Sequence, residues 1–296
     1  AYTLSICDRM ILSILFPDIK AEFGLSDAQL GLLGGISFAL FYATMGLPIA
    51  RLSDQYSRKR IIIASLIIFS LMTALGGMAT GFISLLVFRI GVGIGEAGVN
   101  PASHSIIADY FPPQRRGLAM ATLMLGGSFG MMLGFVGGAL VAETYGWRAA
   151  LVSVGVPGLL LALVMAKWLK EPRRGAFEAQ TLAPPPSILT TAASMWANPA
   201  MRHLIAGSVV AGLMSYGLTQ WLPTFFIREH DLSQSQTGML MAGVFGILGA
   251  IGALVAGKLF DRLAIRGFQY GMWMLAAVPF FSIPFFIMGL LAENLT

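Results

Sequence analysis

The chain has 296 residues, 56% of them hydrophobic and only 11% charged, with a mean hydropathy of +0.77 and a net charge of +5. Soluble domains carry roughly 25% charged residues, so a mostly water-facing surface is excluded, and the 35 glycines fit membrane helices better than soluble ones. The basic residues fall in short loops rather than on one solvated face, which argues against nucleic acid as a partner, and a single cysteine, Cys7, leaves no internal disulfide.

About 20 consecutive apolar residues cross a bilayer as a helix. Nine such runs follow in chain order, near 1–19, 29–50, 60–78, 82–108, 117–142, 147–168, 203–227, 236–257 and 268–291. A membrane β-barrel would instead alternate over about 10 residues. Residue 1 already lies in or beside the first run, so no cleavable signal pattern is expected. Loops on one side gather Arg51, Arg58, Lys59, Arg60, Arg115, Arg116, Lys167, Lys170, Arg173, Arg174, Arg202, Lys258, Arg262 and Arg266; the other side has Lys20, Arg148 and Arg228. The Lys/Arg bias sets orientation, so the expectation is a multi-pass protein of a cell inner or plasma membrane with its N-terminal end cytoplasmic.

The first run contains Asp8-Arg9, and the fourth contains Arg89 and Glu96. An ionisable group at hydrocarbon depth costs about 2.5–3.5 kcal/mol on insertion scales, so such groups face a cavity or a partner. Arg89 and Glu96, seven residues apart, share a helix face to within about 20°, and Gly93 and Asn100 extend the stripe. The two acids and two bases are expected to pair with one another around a water-filled cavity. Glu96 and Asp8 are the candidate proton carriers, with Arg9 as the partner released on protonation; a permanent ion pair that only fixes the helices is the alternative. Gly93-x-Gly95-x-x-Gly98 in the same run spells a dinucleotide turn, but no strand precedes it, and small residues in a membrane helix serve close packing.

The fifth run reads "GGSFGMMLGFVGG" over 126–138, another candidate packing face. After the sixth, residues 171–200 break the rhythm of short loops and carry Pro184 to Pro186, which reads as a cytoplasmic linker between a bundle at 1–170 and a second segment at 201–296. "LSDAQLGLL" at 25–33 and "LSQSQTGML" at 232–240 match at a constant offset of 207, which also carries Phe38 onto Phe245, Leu52 onto Leu259 and Asp54 onto Asp261. Each copy opens with the Ser-x-x-Gln spacing of a capping box, so Ser26 and Ser233 should start equivalent helices. Six runs separate the copies, which gives them the same orientation. The expected architecture is all-α, with two parallel six-helix bundles related by a pseudo-two-fold axis. On that plan about nine of twelve helices lie in this sequence, which implies C-terminal truncation. The offset carries Asp8 and Arg9 onto Ser215 and Tyr216, and Leu12 and Ser13 onto Thr219 and Gln220. A substrate cavity of Arg9, Glu96, Asn100, Tyr216, Thr219 and Gln220 would be charged on one side and neutral on the other, which suits an amphipathic anion.

"ARLSDQYSRKR" at 50–60 and "GKLFDR" at 257–262 resemble the G-x-L-x-D-R-x-G-R-K signature of the major facilitator superfamily, with Ala50, Ser57 and Gln55 departing from it. Asp54 and Arg58, and Asp261 and Arg262 in the second copy, are candidate cytoplasmic latch residues; a solvated loop obeying the orientation rule is the alternative for the cations. "DRMILSILFPDIKAEFGLSD", "VGIGEAGVNPASHSIIADYF" and "EPRRGA" resemble the spinster branch of that superfamily. The resemblance implies transport of lysophospholipids or of sphingoid lipids such as sphingosine 1-phosphate, coupled to protons. The run at 126–138 is similar to the antiporter signature but has Phe135 in place of its proline.

The expected function is secondary active transport of lipid-like anions by alternating access, through a monomer with no cofactor or metal. A multidrug or small organic-anion transporter of the same fold is a second reading. A membrane sensor or enzyme is a third, disfavoured because no His-rich cluster or Ser/His/Asp set is visible. Asn294-Leu295-Thr296 matches a glycosylation triplet.

Overall fold

In the computed structural model, residues 1–177 and 187–291 are described. Pro184 to Pro186 and the Asn294 triplet lie outside them. Each apolar run forms a helix: α1 Tyr2–Phe23, α2 Asp27–Gln55, α3 Arg58–Gly76 and α4 Phe82–Tyr110. The run Pro113–Trp168 is broken at Gly146, φ 84°, into α5 (113–145) and α6 (147–168). Then come α7 Pro199–Glu229, α8 Gln234–Arg266 and α9 Phe268–Leu291. A short helix, Ile188–Ala197, precedes α7.

The helix starts follow the local chemistry. Ser26 and Ser233 both form complete capping boxes with Gln29 and Gln236, so the 207-residue repeat holds at its most specific point. Gly24 closes α1 in the left-handed conformation, φ 62°. One-turn π stretches interrupt α2 at Leu32–Ile36, α5 at Leu133–Gly137 and α8 at Ala242–Leu248. Within α4, Pro101 lacks the N–H that would reach Ala97, and the helix breaks at Ala97-Gly98, immediately after Glu96.

The glycine pattern of α4 is a packing device. A Cβ on Gly93 would stand 2.8 Å from the Phe38 carbonyl oxygen of α2, and one on Gly95 would stand 2.6 Å from the Phe69 nitrogen of α3. The fifth run does the same against α1, where a Cβ on Gly134 would lie 2.7 Å from the Cys7 carbonyl oxygen. The Gly134 approach seats α1 against α5, beside a core that includes Ile11, Leu12, Leu15, Phe16 and Leu33.

Contacts between the first six helices and α7–α8 concentrate toward one end. Trp221 meets Phe16, and Phe135 meets Gly238 and Phe245. Toward the other end, residues 206–215 of α7 are exposed.

Candidate transport site

Asp8 and Arg9 are adjacent on α1 and therefore point about 100° apart. The four intramembrane charges pair with one another in two neighbouring couples, and the guanidiniums of Arg9 and Arg89 both lie over the Phe38 ring, at 4.7 and 5.5 Å. Asp8 faces α3 and α4: Arg89 Nη1 donates to Oδ2 at 2.8 Å and the Thr73 hydroxyl donates to Oδ1. Both Asp8 oxygens are satisfied and the pair is buried, with side-chain exposures of 0% and 4%, while Arg89 Nε and Nη2 have no hydrogen-bond partner among the described residues.

Arg9 faces Glu96. Its Nε and Nη2 each lie 2.7 Å from Glu96 Oε2, and Ser5 Oγ donates to the same oxygen at 2.6 Å. Glu96 Oε1, equally buried, has no hydrogen-bond partner among the described residues. Beside the fully buried carboxylate, the Arg9 side chain retains 15% exposure. Its guanidinium lies over the rings of Phe38 and Tyr42, at 4.7 and 4.8 Å, and those rings stack on each other. Such a slot holds a cation by the ring quadrupoles when its carboxylate is lost.

The remaining candidates surround this pair unevenly. Asn100 donates to the Tyr42 hydroxyl at 2.9 Å and so braces the aromatic slot. Gln220 donates to the Arg9 carbonyl oxygen at 3.3 Å, and Tyr216 to that of Gly34 at 3.0 Å. Both tie α7 to the first bundle. Thr219 bonds back to Ser215 on its own helix at 2.7 Å and is buried; here the hydroxyl serves α7 rather than an open cavity wall.

At the Arg/Lys-rich end, Arg58 is 1% exposed and is the centre of an ion-pair cluster with different acids from Asp54. It pairs with Asp109 at the end of α4 and, at 2.8 Å, with Glu171 after α6, and it donates to the Ser105 and Pro172 carbonyl oxygens. Burial pushes the Glu171 carboxyl up, but donors from Ser57, the Lys59 amide and Arg58 outweigh it and hold the group at about 2. The segment from 171 therefore begins as a strap on the first bundle: Gly175 donates to Asp109, and Arg174 to the Ser53 and Tyr56 carbonyl oxygens.

Asp54 is exposed and joins no ion pair among the described residues. It sits in the last turn of α2, where the helix dipole repels a carboxylate rather than holding one. Asp261 and Arg262 are likewise exposed without an ion pair among the described residues.

The opposite end carries a clasp that the sequence did not reveal. Asp27 accepts from Lys20 at 2.7 Å and from Arg228 of α7 at 2.8 and 3.1 Å. Gln234 donates to Asp18 at 2.7 Å, and Glu143 accepts from the Ser235 amide at 2.7 Å, at the start of α8.

The family description "Major Facilitator Superfamily" matches residues 1–293. The chain belongs to that superfamily and is a membrane transport protein rather than an enzyme. Its spinster-like character is carried by a solved bacterial homologue of the human lysosomal transporter Spinster, in an inward-facing and unoccupied conformation. That structure shares 32% identity and a TM-score of 0.85, over 99% of this chain and 67% of the other. An MFS-type efflux pump of Mycolicibacterium smegmatis (strain ATCC 700084 / mc(2)155) is 30% identical over 99% of this chain and 67% of its own length. A cis,cis-muconate transport protein of Acinetobacter baylyi (strain ATCC 33305 / BD413 / ADP1) is 27% identical over 93% and 67%.

Proposed function

We propose that the chain is part of a proton-coupled secondary transporter of amphipathic, lipid-like anions, working by alternating access with its N-terminal end and Arg/Lys-rich loops in the cytoplasm. The bundle at 1–170 and the segment from 201 form its two moving parts. One observation carries the reading: Glu96 presents one oxygen to Arg9 and Ser5 and keeps the other, Oε1, buried and unpartnered. A lone buried acceptor is the atom on which a proton relieves an unsatisfied group. Protonation removes the negative partner of Arg9, which stays in the Phe38–Tyr42 slot and offers its charge to an anionic headgroup. Glu96 is favoured over Asp8 for this step because both Asp8 oxygens already have donors. Tyr216 and Gln220 register the change on α7, since both bond to the backbone beside the pair. Asp8, Arg89 and Thr73 act as a fixed brace.

Transport of a lysophospholipid into or out of proteoliposomes, across a pH series, tests this. Glu96→Gln is expected to fold and to lose the pH dependence; an unchanged pH profile in that variant would overturn the role.

A second reading, a carrier of small organic anions, is favoured by the muconate-transporting relative. Arg9 would hold a carboxylate as readily as a phosphate. Competition between a small dicarboxylate and a lysophospholipid for the same uptake separates the two.

A further inference from the structure

The helix Ile188–Ala197 is ten residues long, and Leu189 through Ala200 are all exposed. No hydrophobic core cluster among the described residues includes any part of it. An isolated helix this short is marginal in water, so its order calls for a surface to lie on.

Its sequence divides cleanly around the axis. At 100° per residue, Leu189, Ala192, Ala193, Met195 and Trp196 occupy one broad arc, while Thr190, Thr191 and Ser194 occupy the opposite one. Leu189 is 82% exposed and Trp196 is 67% exposed. The apolar arc is therefore largely presented: Leu189 and Trp196 stand clear, and Met195, 38% exposed, is partly covered.

The helix also has a defined height. Asn198 ends it and caps α7, whose second residue follows Pro199 directly. It therefore lies one residue from where a crossing helix starts, at the end of the molecule that carries the Arg/Lys-rich loops. Other exposed aromatics mark the same end: Tyr56 after α2, Tyr110 at the end of α4, and Trp168 at the end of α6, with Lys167 over its ring at 5.3 Å. Aromatic residues of this kind sit at headgroup level. Arg202 and His203 follow on the first turn of α7 and are exposed.

We infer that Ile188–Ala197 is an interfacial anchor that lies in the plane of the membrane, with Leu189, Met195 and Trp196 sunk into the headgroup–acyl boundary and with Arg202 set to meet anionic lipid headgroups. Apolar area and attraction to anionic lipid both strengthen such binding. The anchor fixes the start of α7 at the membrane surface, so α7 pivots about that point and its rocking is limited at that end. The inference does not depend on what the transporter carries or on Glu96.

The test is depth-dependent fluorescence quenching of the intact protein in liposomes of phosphatidylcholine with phosphatidylglycerol. The Trp196 component is the difference between wild type and Trp196→Phe. Lipids brominated at the upper acyl carbons are expected to quench it more than lipids brominated near the chain ends, and aqueous iodide is expected to quench it little. Leu189→Asp should reverse that order, making Trp196 accessible to iodide, while a mild Leu189→Met should not. Efficient iodide quenching in the wild type with no bromolipid effect would overturn the anchor. So would insensitivity to both quenchers, the signature of Trp196 packed against protein.

Discussion

Burying an ionised carboxylate without full satisfaction is expensive, and the charged residues of this chain show two solutions to that cost. Asp8 is saturated by Arg89 and Thr73, whereas Glu96 keeps one oxygen free. The sequence made Asp8, Arg9, Arg89 and Glu96 legible as a group, because an ion at hydrocarbon depth must find a partner. It did not reveal which partner each takes, since that follows from the 100° turn between residues 8 and 9. Ser5 and Thr73 left no signal at all, because a hydroxyl in a membrane helix normally bonds its own backbone and carries no comparable penalty. Arg58 illustrates another limit: the signature singled the residue out, but the acids it meets, Asp109 and Glu171, are 51 and 113 residues away. Glu171 offers a direct pH test. Its native value near 2 lies below the ordinary 4.5, so its contribution is complete above about pH 4.5 and is lost as the pH falls toward 2. Thermal melts of purified protein should show wild-type stability falling over that window, with part of the fall absent in Glu171→Gln. Parallel curves for the two proteins would remove Glu171 from the Arg58 cluster.

At the level of helices, the nine apolar runs, the capping boxes and the repeat were readable because each depends on local chemistry or on length against bilayer thickness. The π stretches were not, because a one-residue insertion into a helix leaves no fixed motif. The uses of the glycines could be anticipated from type and surroundings, and the structure supplies the partners. Gly134 is pressed against the backbone of α1, while Gly137, one turn away, has nothing within 4 Å of an added Cβ. Gly134→Ala is therefore expected to force α1 and α5 apart at a cost of about 1–3 kcal/mol. Gly137→Ala should be neutral or slightly stabilising, through lost glycine flexibility in the unfolded chain. Melting temperatures in detergent check the contrast, and equal effects at the two sites would mean that α1 and α5 are not in close contact.

Across the whole molecule, the first bundle and α7–α8 are joined by Asp27–Arg228, Asp18–Gln234 and Glu143–Ser235 at one end, while residues 206–215 of α7 are exposed toward the other. The Asp27–Arg228 pair is half-exposed, worth at most about 1 kcal/mol and screened by salt, which suits a contact that opens in the alternating-access cycle proposed above. Arg228→Ala, or high salt in the wild type, should lengthen and broaden the distance between spin labels placed at residues 21 and 230. An unchanged distribution would mean that the clasp does not set the closed end. This end was invisible in the sequence because its acids and cations are ordinary loop residues whose pairing exists only once the helices are assembled. The central claim, that Glu96 is the group that takes up the proton, is tested most directly by infrared difference spectroscopy of the reconstituted protein on acidification. A protonated-carboxyl C=O band should appear in the wild type, persist in Asp8→Asn and vanish in Glu96→Gln; a band that survives Glu96→Gln and disappears in Asp8→Asn would contradict it.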